Sequence, residues 1–267
     1  MTKPLLLSAT LLSSAAHGAI SLTAAGVSEN FTVMPPASSW SSIQGGAPFD
    51  SNQANQVDTF QTNVDFDNVL SGNGSALVLP SNVSQALETT GVTTVSKTRR
   101  AAWNSGEQAL QMYPTTIGAS VLLATLQNDT NTNITSVSVD YAFSRNAGNG
   151  TEQLPGWRAY YSVTGNGSDW IHIADFDGGT SGTRATNLSF ANAVAPGSPI
   201  YLIWLDDNAR SGFTSTNPNT PATVSSEDRY TLDDFNVSIT GATLVPEPSS
   251  LLLTGLGMLF LARRRRG

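Results

Sequence analysis

The chain has 267 residues, 12% of them charged, with 23 Gly, 13 Pro, no Cys and a formal net charge of −7. Such acidity excludes nucleic acid and anionic lipid as partners held by charge, since both need neutralising Lys and Arg. The lack of cysteine excludes disulfides and thiolate chemistry, so stability has to come from burial and ladder hydrogen bonds.

Residues 1–18 read as a secretory signal peptide. One early positive charge, Lys3, precedes an apolar stretch over 5–16, and the small residues Ala16 and Gly18 stand at the minus-three and minus-one positions of a cleavage site. Cleavage after Gly18 leaves Ala19 as the new N-terminus. Residues 19–244 are then an exported body, long enough for one large all-β domain with a sizeable core. Counted over 19–248, eight Lys and Arg stand against twenty Asp and Glu, a balance of −12, so the body is more acidic than the whole chain. This balance suits divalent cations and neutral glycans.

From 19 to 55 the sequence is rich in Ser, Gly, Pro and Asn. Glu29-Asn30-Phe31 followed by Ser39-Trp40 suggests an opening strand and a Trp-bearing loop, and 63–67 and 75–79 are short strand candidates. Ser81 is a candidate N-cap for one or two helical turns over 81–90. Beyond Gly91 the period-two signal is clear. Val137, Val139, Tyr141 and Phe143 alternate with Ser136, Ser138, Asp140 and Ala142, which puts the large apolar side chains on one face. Trp157, Ala159, Tyr161 and Val163 alternate in the same way with Arg158, Tyr160, Ser162 and Thr164. Segments 170–176, 200–205 and 235–239 add three strands, and the nearly continuous apolar run 121–126 predicts a strand buried on both faces. Turn residues separate them at 147–150, 165–167, 177–179 and 196–197. Many short strands with no sustained helical period predict an antiparallel β-sandwich.

The strand at 157–163, Asp169-Trp170-Ile171, the strand at 200–204 with Asp206-Asp207-Asn208, and the closing Leu232-Asp233-Asp234-Phe235-Asn236-Val237 resemble the second half of exported jelly-roll domains. These are similar to concanavalin-type lectin and carbohydrate-binding folds. The resemblance implies binding or architecture, although a fold does not fix a function.

Catalytic chemistry is sparse. After signal cleavage the sole histidine is His172, expected on a strand facing solvent or a polar neighbour, and a Ser-His-Asp or Cys-His site needs a base beside its nucleophile. A histidine-rich zinc site is excluded by the same count. A glycosidase needs two acids across a cleft. Glu29, Glu88, Glu107, Glu152 and Glu227 are isolated in sequence, so hydrolysis is the least favoured function and the chain is expected not to be an enzyme. Asp206, Asp207 and Asn208 end one strand while Asp233 and Asp234 begin the last. If those strands are neighbours, the carboxylates converge and call for a hard cation held through oxygen, calcium above all. The other reading is that they are solvated strand ends. Trp40 and Trp103 sit in turn-like surroundings and are the candidates to be exposed and to stack on sugar rings, whereas Trp157 and Trp204 are expected inside. Lys97, Arg99 and Arg100 form the one basic cluster of the body, read as a solvated hairpin.

The chain closes on Pro246-Glu247-Pro248, an uncharged apolar run over 251–262, and Arg263, Arg264, Arg265 and Arg266 before Gly267. As a helix the run extends only about 18 Å at about 1.5 Å per residue, short of the roughly 30 Å hydrocarbon core. The arginines stay in the cytosol, which leaves the body outside and the membrane hold marginal. This three-part order over 245–267 resembles the PEP-CTERM sorting signal of exopolysaccharide-producing Gram-negative bacteria. The resemblance implies an exosortase as partner, a membrane-embedded cysteine transpeptidase that cuts near Pro246 to Pro248. It also implies transient anchoring in the inner membrane, then transfer to the cell surface or extracellular matrix. Together the readings describe an exported, non-enzymatic surface or matrix protein, with a module for binding extracellular polysaccharide as the alternative.

Overall fold

The computed structural model describes residues 19–44, 80–90, 98, 100–113, 120–146, 157–166, 169–206 and 229–245. They form two packed sheets. In chain order the strands are β1 (Ile20–Leu22), β2 (Val27–Glu29), β3 (Trp40–Gln44), β4 (Glu88–Thr90), β5 (Ala102–Asn104), β6 (Ala109–Met112) and β7 (Ser120–Asn128). There follow β8 (Thr132–Asn146), β9 (Trp157–Ser162), β10 (Ile171–His172), β11 (Gly182–Val194), β12 (Pro199–Asp206) and β13 (Arg229–Leu244). The six-stranded sheet runs β1-β7-β12-β9-β10 with β3 also on β7; the seven-stranded sheet runs β11-β8-β13-β6-β5-β4 with β2 on β13. Pairing is antiparallel except for β1 on β7 and β4 on β5, so both sheets are mixed.

The core follows from the alternation in the sequence. Val137, Val139, Tyr141 and Phe143 of β8 are buried between the sheets, as are Trp157, Ala159 and Tyr161 of β9. Aromatic rings fill the centre. Trp40 stacks on Trp204 at 5.8 Å and meets Phe235 and Phe31 edge-on at 5.0 and 5.2 Å. Trp204 Nε1 donates to the Tyr141 hydroxyl at 3.3 Å, and burial pushes that phenol well above its ordinary pKa. The apolar run of β7 is buried on both faces: Leu122, Ala124 and Leu126 face the sandwich core, while Val121 and Leu123 join a second cluster with Val83, Tyr160, Trp170, Ile203 and Leu205. Tyr160, placed by alternation on the polar face of β9, is buried in that second cluster for the same reason: the six-stranded sheet is covered on both sides.

Local readings fail where the chain turns. Instead of a helix, 81–90 holds a 3-10 turn (Pro80–Asn82) and β4, and Gln85 exchanges backbone hydrogen bonds with Ser42 of β3 at 2.8 and 3.1 Å. A strand over 170–176 is cut to β10 by a 3-10 turn (Ala174–Phe176) that drops Phe176 into the core against Tyr141. The opening strand stops at Glu29, since Asn30 Oδ1 accepts the Thr32 N–H at 3.3 Å and Phe31 takes a positive φ of 50°. The strand candidates at 63–67 and 75–79, with the turn at 147–150, lie outside the described residues.

The two ends of the sandwich differ. At one rim the β7–β8 connection, the β11–β12 turn and the ends of β1 and β13 are gathered round Asn128, which is fully buried. Its Nδ2 donates to the carbonyls of Thr132 and Val194 at 2.9 and 2.8 Å, and its Oδ1 accepts from the Thr130 N–H and hydroxyl at 3.0 and 2.7 Å. Its backbone bonds Ser198 O and Gly197 N at 3.0 and 2.7 Å. Gly197, at φ 77° after Pro196, supplies the conformation that a type II turn needs. Leu22 is in register with Asn128, and Leu244 with Thr132. At the opposite rim Gln44, Ser120, Asp206 and Trp157 lie in register across the six-stranded sheet. The strand ends that flank 45–79, 114–119, 147–156 and 207–228 all lie there. Asn128→Ala would remove the amide's bonds to the buried Val194 carbonyl and to the part-buried Thr132 carbonyl and Thr130 N–H, of which Thr132 O keeps the Thr130 hydroxyl at 3.1 Å, at a cost of about 2 kcal/mol. Urea unfolding of the two proteins measures that difference.

Candidate functional site

The outer face of the seven-stranded sheet carries a cleft of about 230 Å3 between β6, β8 and β13, lined by Glu107, Ala109, Ala142, Phe143, Ser144, Thr231 and Asp233. The small residues open it, and the turn joining β5 to β6 sets its acid. Asn104 is buried and accepts the Gly106 and Glu107 N–H groups at 3.0 and 3.1 Å, while Gln108 takes φ 53°, which turns the chain so that Glu107 overhangs the cleft. Arg229 Nη1 then bonds both Glu107 oxygens at 2.7 Å, from a side chain only 9% exposed. Ser144 and Thr231, in register across β8 and β13, share a hydroxyl hydrogen bond.

On the other side of the cleft is a bulge in β13, where the register with β8 shifts between Asp233 and Asn236 and Asp234 takes φ 48°. Asp233 Oδ1 accepts the Asp234 N–H at 2.7 Å, and Asn236 Nδ2 bridges Asp234 O and Asp140 Oδ1 at 2.8 and 3.0 Å. Burial raises the Asp233 pKa and the Asp234 charge adds to the rise, partly opposed by the backbone hydrogen bond. The cleft therefore offers carboxylate acceptors, two hydroxyls that both donate and accept, and a short apolar floor.

A second polar cluster lies on the six-stranded sheet. Asp177 takes Arg158 Nη1 on one oxygen at 3.0 Å and His172 Nε2 on the other at 2.7 Å, and the imidazole leans on Tyr160 at 5.2 Å. His172 thus has the polar neighbour expected of it, a carboxylate. Asp175 accepts from the Thr186 hydroxyl at 2.6 Å.

The residues singled out in the sequence are scattered. Trp40 is 0% exposed, at the centre of the aromatic core, so it cannot stack on a sugar; its turn-like neighbours Pro35 and Pro36 only deliver it to the start of β3. Trp103 is half-buried against the core edge and its Nε1 donates to Phe31 O at 2.8 Å, which makes it a wall of the core rather than an open platform. Trp157 and Trp204 are inside. Asp206 ends β12 in the six-stranded sheet and is fully buried, whereas Asp233 and Asp234 belong to β13 in the other sheet. The two strands are not neighbours, so the convergence that would have called for calcium does not arise through adjacent strands. Asp207 and Asn208 lie outside the described residues, and among the described residues no group of three or more His, Cys, Asp or Glu is placed to hold a metal ion. Of the basic cluster, Lys97 and Arg99 lie outside the described residues; Arg100 pairs with Glu88 at 3.4 Å and donates to Ala86 O at 2.9 Å. The cleft itself escaped the sequence reading because Glu107 stands 122 residues before Arg229 and Glu107, Arg229 and Asp233 carry no motif.

Asp233 binds its proton more tightly in the folded than in the unfolded chain, so its burial penalises the fold at neutral pH, and the penalty fades as pH falls through the raised pKa. Asp233→Asn is expected to raise the melting temperature at pH 7, and the gain should shrink towards zero in acid. Thermal unfolding across that pH range checks it.

The last strand leads straight out of the fold. β13 ends at Leu244, 82% exposed, and Val245 follows before Pro246-Glu247-Pro248. Pro246, Glu247, Pro248 and Arg263, Arg264, Arg265 and Arg266 lie outside the described residues, and among the described residues no helix is long and apolar enough to cross a membrane. No curated protein matches the chain. Eight solved chains match, among them a structure of TmCBM61 in complex with beta-1,4-galactotriose, with 10% identity, 49% of this chain and 70% of that chain covered, and a TM-score of 0.28. The PEP-CTERM protein-sorting motif matches at residues 244–266, beginning on the last residue of β13. The chain is thus an all-β sandwich whose final strand runs into a PEP-CTERM protein-sorting motif, the mark of export and membrane-anchored sorting.

Proposed function

We propose that this is a non-enzymatic protein of the cell surface or extracellular matrix, exported with removal of 1–18, held briefly in the inner membrane by 251–262, and processed by an exosortase near Pro246 to Pro248. The observation that carries the reading is the continuity of the sorting motif with β13, which makes the tail a handle on a finished domain. The non-enzymatic part rests on a body without cysteine, whose sole histidine is held by Asp177. Replacing Arg263, Arg264, Arg265 and Arg266 by Ser removes the charges that keep the tail in the cytosol. The variant is expected to lose most of its processed form relative to the parent when whole-cell fractions are compared by tail-specific and body-specific antibodies. Unchanged processing would contradict the reading.

The cleft favours a second activity for the same protein, the binding of extracellular polysaccharide. Adjacent sugar hydroxyls would donate to Glu107 and Asp233 and accept from Ser144 and Thr231. On a column of the host's own polysaccharide, retention should drop several-fold on Asp233→Asn combined with Ser144→Ala. Retention that survives both changes would remove the cleft from the account, and release of reducing ends would replace binding by hydrolysis.

A further inference from the structure

We propose that the rim gathered by Asn128 is the face that lies against the phospholipid surface while the tail is inserted, and that its low charge is what lets an acidic body sit there. The inference rests on the reading of 251–262 as the membrane-held segment. Two observations carry it.

The first is distance. Only six residues, Val245 to Ser250, separate the end of β13 from the apolar run. Fully extended they reach about 20 Å at roughly 3.3 to 3.6 Å each. The end of β13 is in register with Thr132, and the β7–β8 and β11–β12 turns share the Asn128 hydrogen bonds. These turns must therefore be held close to the membrane. β8 spans fifteen residues, about 50 Å at about 3.3 Å per residue, so the opposite rim lies that far along the sandwich from the tethered end.

The second is charge. The body carries a balance of −12, and a phospholipid surface that holds anionic lipid is itself negative, so an acidic face brought against it would be repelled within a Debye length of about 10 Å. On this rim the turns are Thr23-Ala24-Ala25-Gly26, Asp129-Thr130-Asn131 and Ala195-Pro196-Gly197-Ser198, followed by Leu244 and Val245. Asp129 is their one ionisable residue, and the β9–β10 connection at the same end of the six-stranded sheet adds Asp169, whose carboxylate accepts from the Thr164 hydroxyl at 2.7 Å. The Asp129 carboxylate is occupied by the Ser21 hydroxyl and by Gln127 Nε2, the latter at 3.0 Å. Small, uncharged side chains on tight turns also let the rim approach closely. The acidic groups of the cleft and of the Asp177 cluster lie on the outer faces of the sheets.

Because the chain lacks cysteine, a single one can be placed at either end of the β8 ladder. The full chain carrying Asn131→Cys or Asn146→Cys, each labelled with the same fluorophore, would be incorporated into phosphatidylethanolamine and phosphatidylglycerol vesicles holding a headgroup-attached nitroxide quencher. Both positions are exposed. Quenching several-fold stronger at 131 than at 146 is expected. It should weaken in a version of the Asn131→Cys chain that also carries Ala195→Glu, and recover in vesicles of phosphatidylcholine alone. Equal quenching at the two sites, or stronger quenching at 146, would overturn the proposal while leaving the tail reading intact. A chain that stays in the supernatant would instead overturn the tail reading, and with it this inference.

Discussion

The buried side chain of Asn128 gives the sandwich its polarity. One amide binds the start of β8, the end of β11 and the β7–β8 turn, and its backbone holds the β11–β12 turn, so elements of both sheets are tied at one point. A buried amide repays its desolvation only when its donors and acceptors are all used. Here the carbonyls of Thr132 and Val194 and the Thr130 hydroxyl use them. The result is a compact rim of short turns at the end where the chain leaves the fold, with the strand ends flanking 45–79, 114–119, 147–156 and 207–228 at the other.

The absence of cysteine places the remaining burden on burial. Trp40, Trp204, Phe235 and Phe31 form one aromatic centre, while Phe143, Trp157 and Tyr230 form another closer to the opposite rim. All of these lie between the sheets. The second, smaller cluster on the outer side of the six-stranded sheet explains why β7 and β12 lack polar alternation. The middle of that sheet is covered on both sides, with the Asp177 cluster at its β9–β10 edge, whereas the seven-stranded sheet keeps a polar outer face, where the cleft lies.

Periodicity made the long central strands legible. The alternation of Val137, Val139, Tyr141 and Phe143 gave the inner face of β8, and the unbroken run of β7 gave its double burial. β11 was missed because its only large apolar residues, Leu188, Phe190 and Val194, stand among Thr, Asn, Ser and Ala that read as loop. Trp40 was misplaced because its flanking prolines and serines are turn residues while its ring is seated by Trp204 and Phe235, more than 150 residues away, as well as by Phe31. The parallel pairings of β1 and β4 are three residues each and leave no local pattern. Asn128 was hidden for the opposite reason, since an Asn-Asp-Thr turn looks solvated until the strands it joins are placed. The sorting motif at 244–266 was legible because it lies in composition and order, which need no tertiary context.

The central claim is that the body is a finished domain from which both ends of the precursor are removed. The intact mass of the protein recovered from the host's surface or matrix tests it most directly. The predicted polypeptide begins at Ala19 and has lost the apolar run and the arginines. A polypeptide recovered whole from the inner membrane, ending at Gly267, would contradict it.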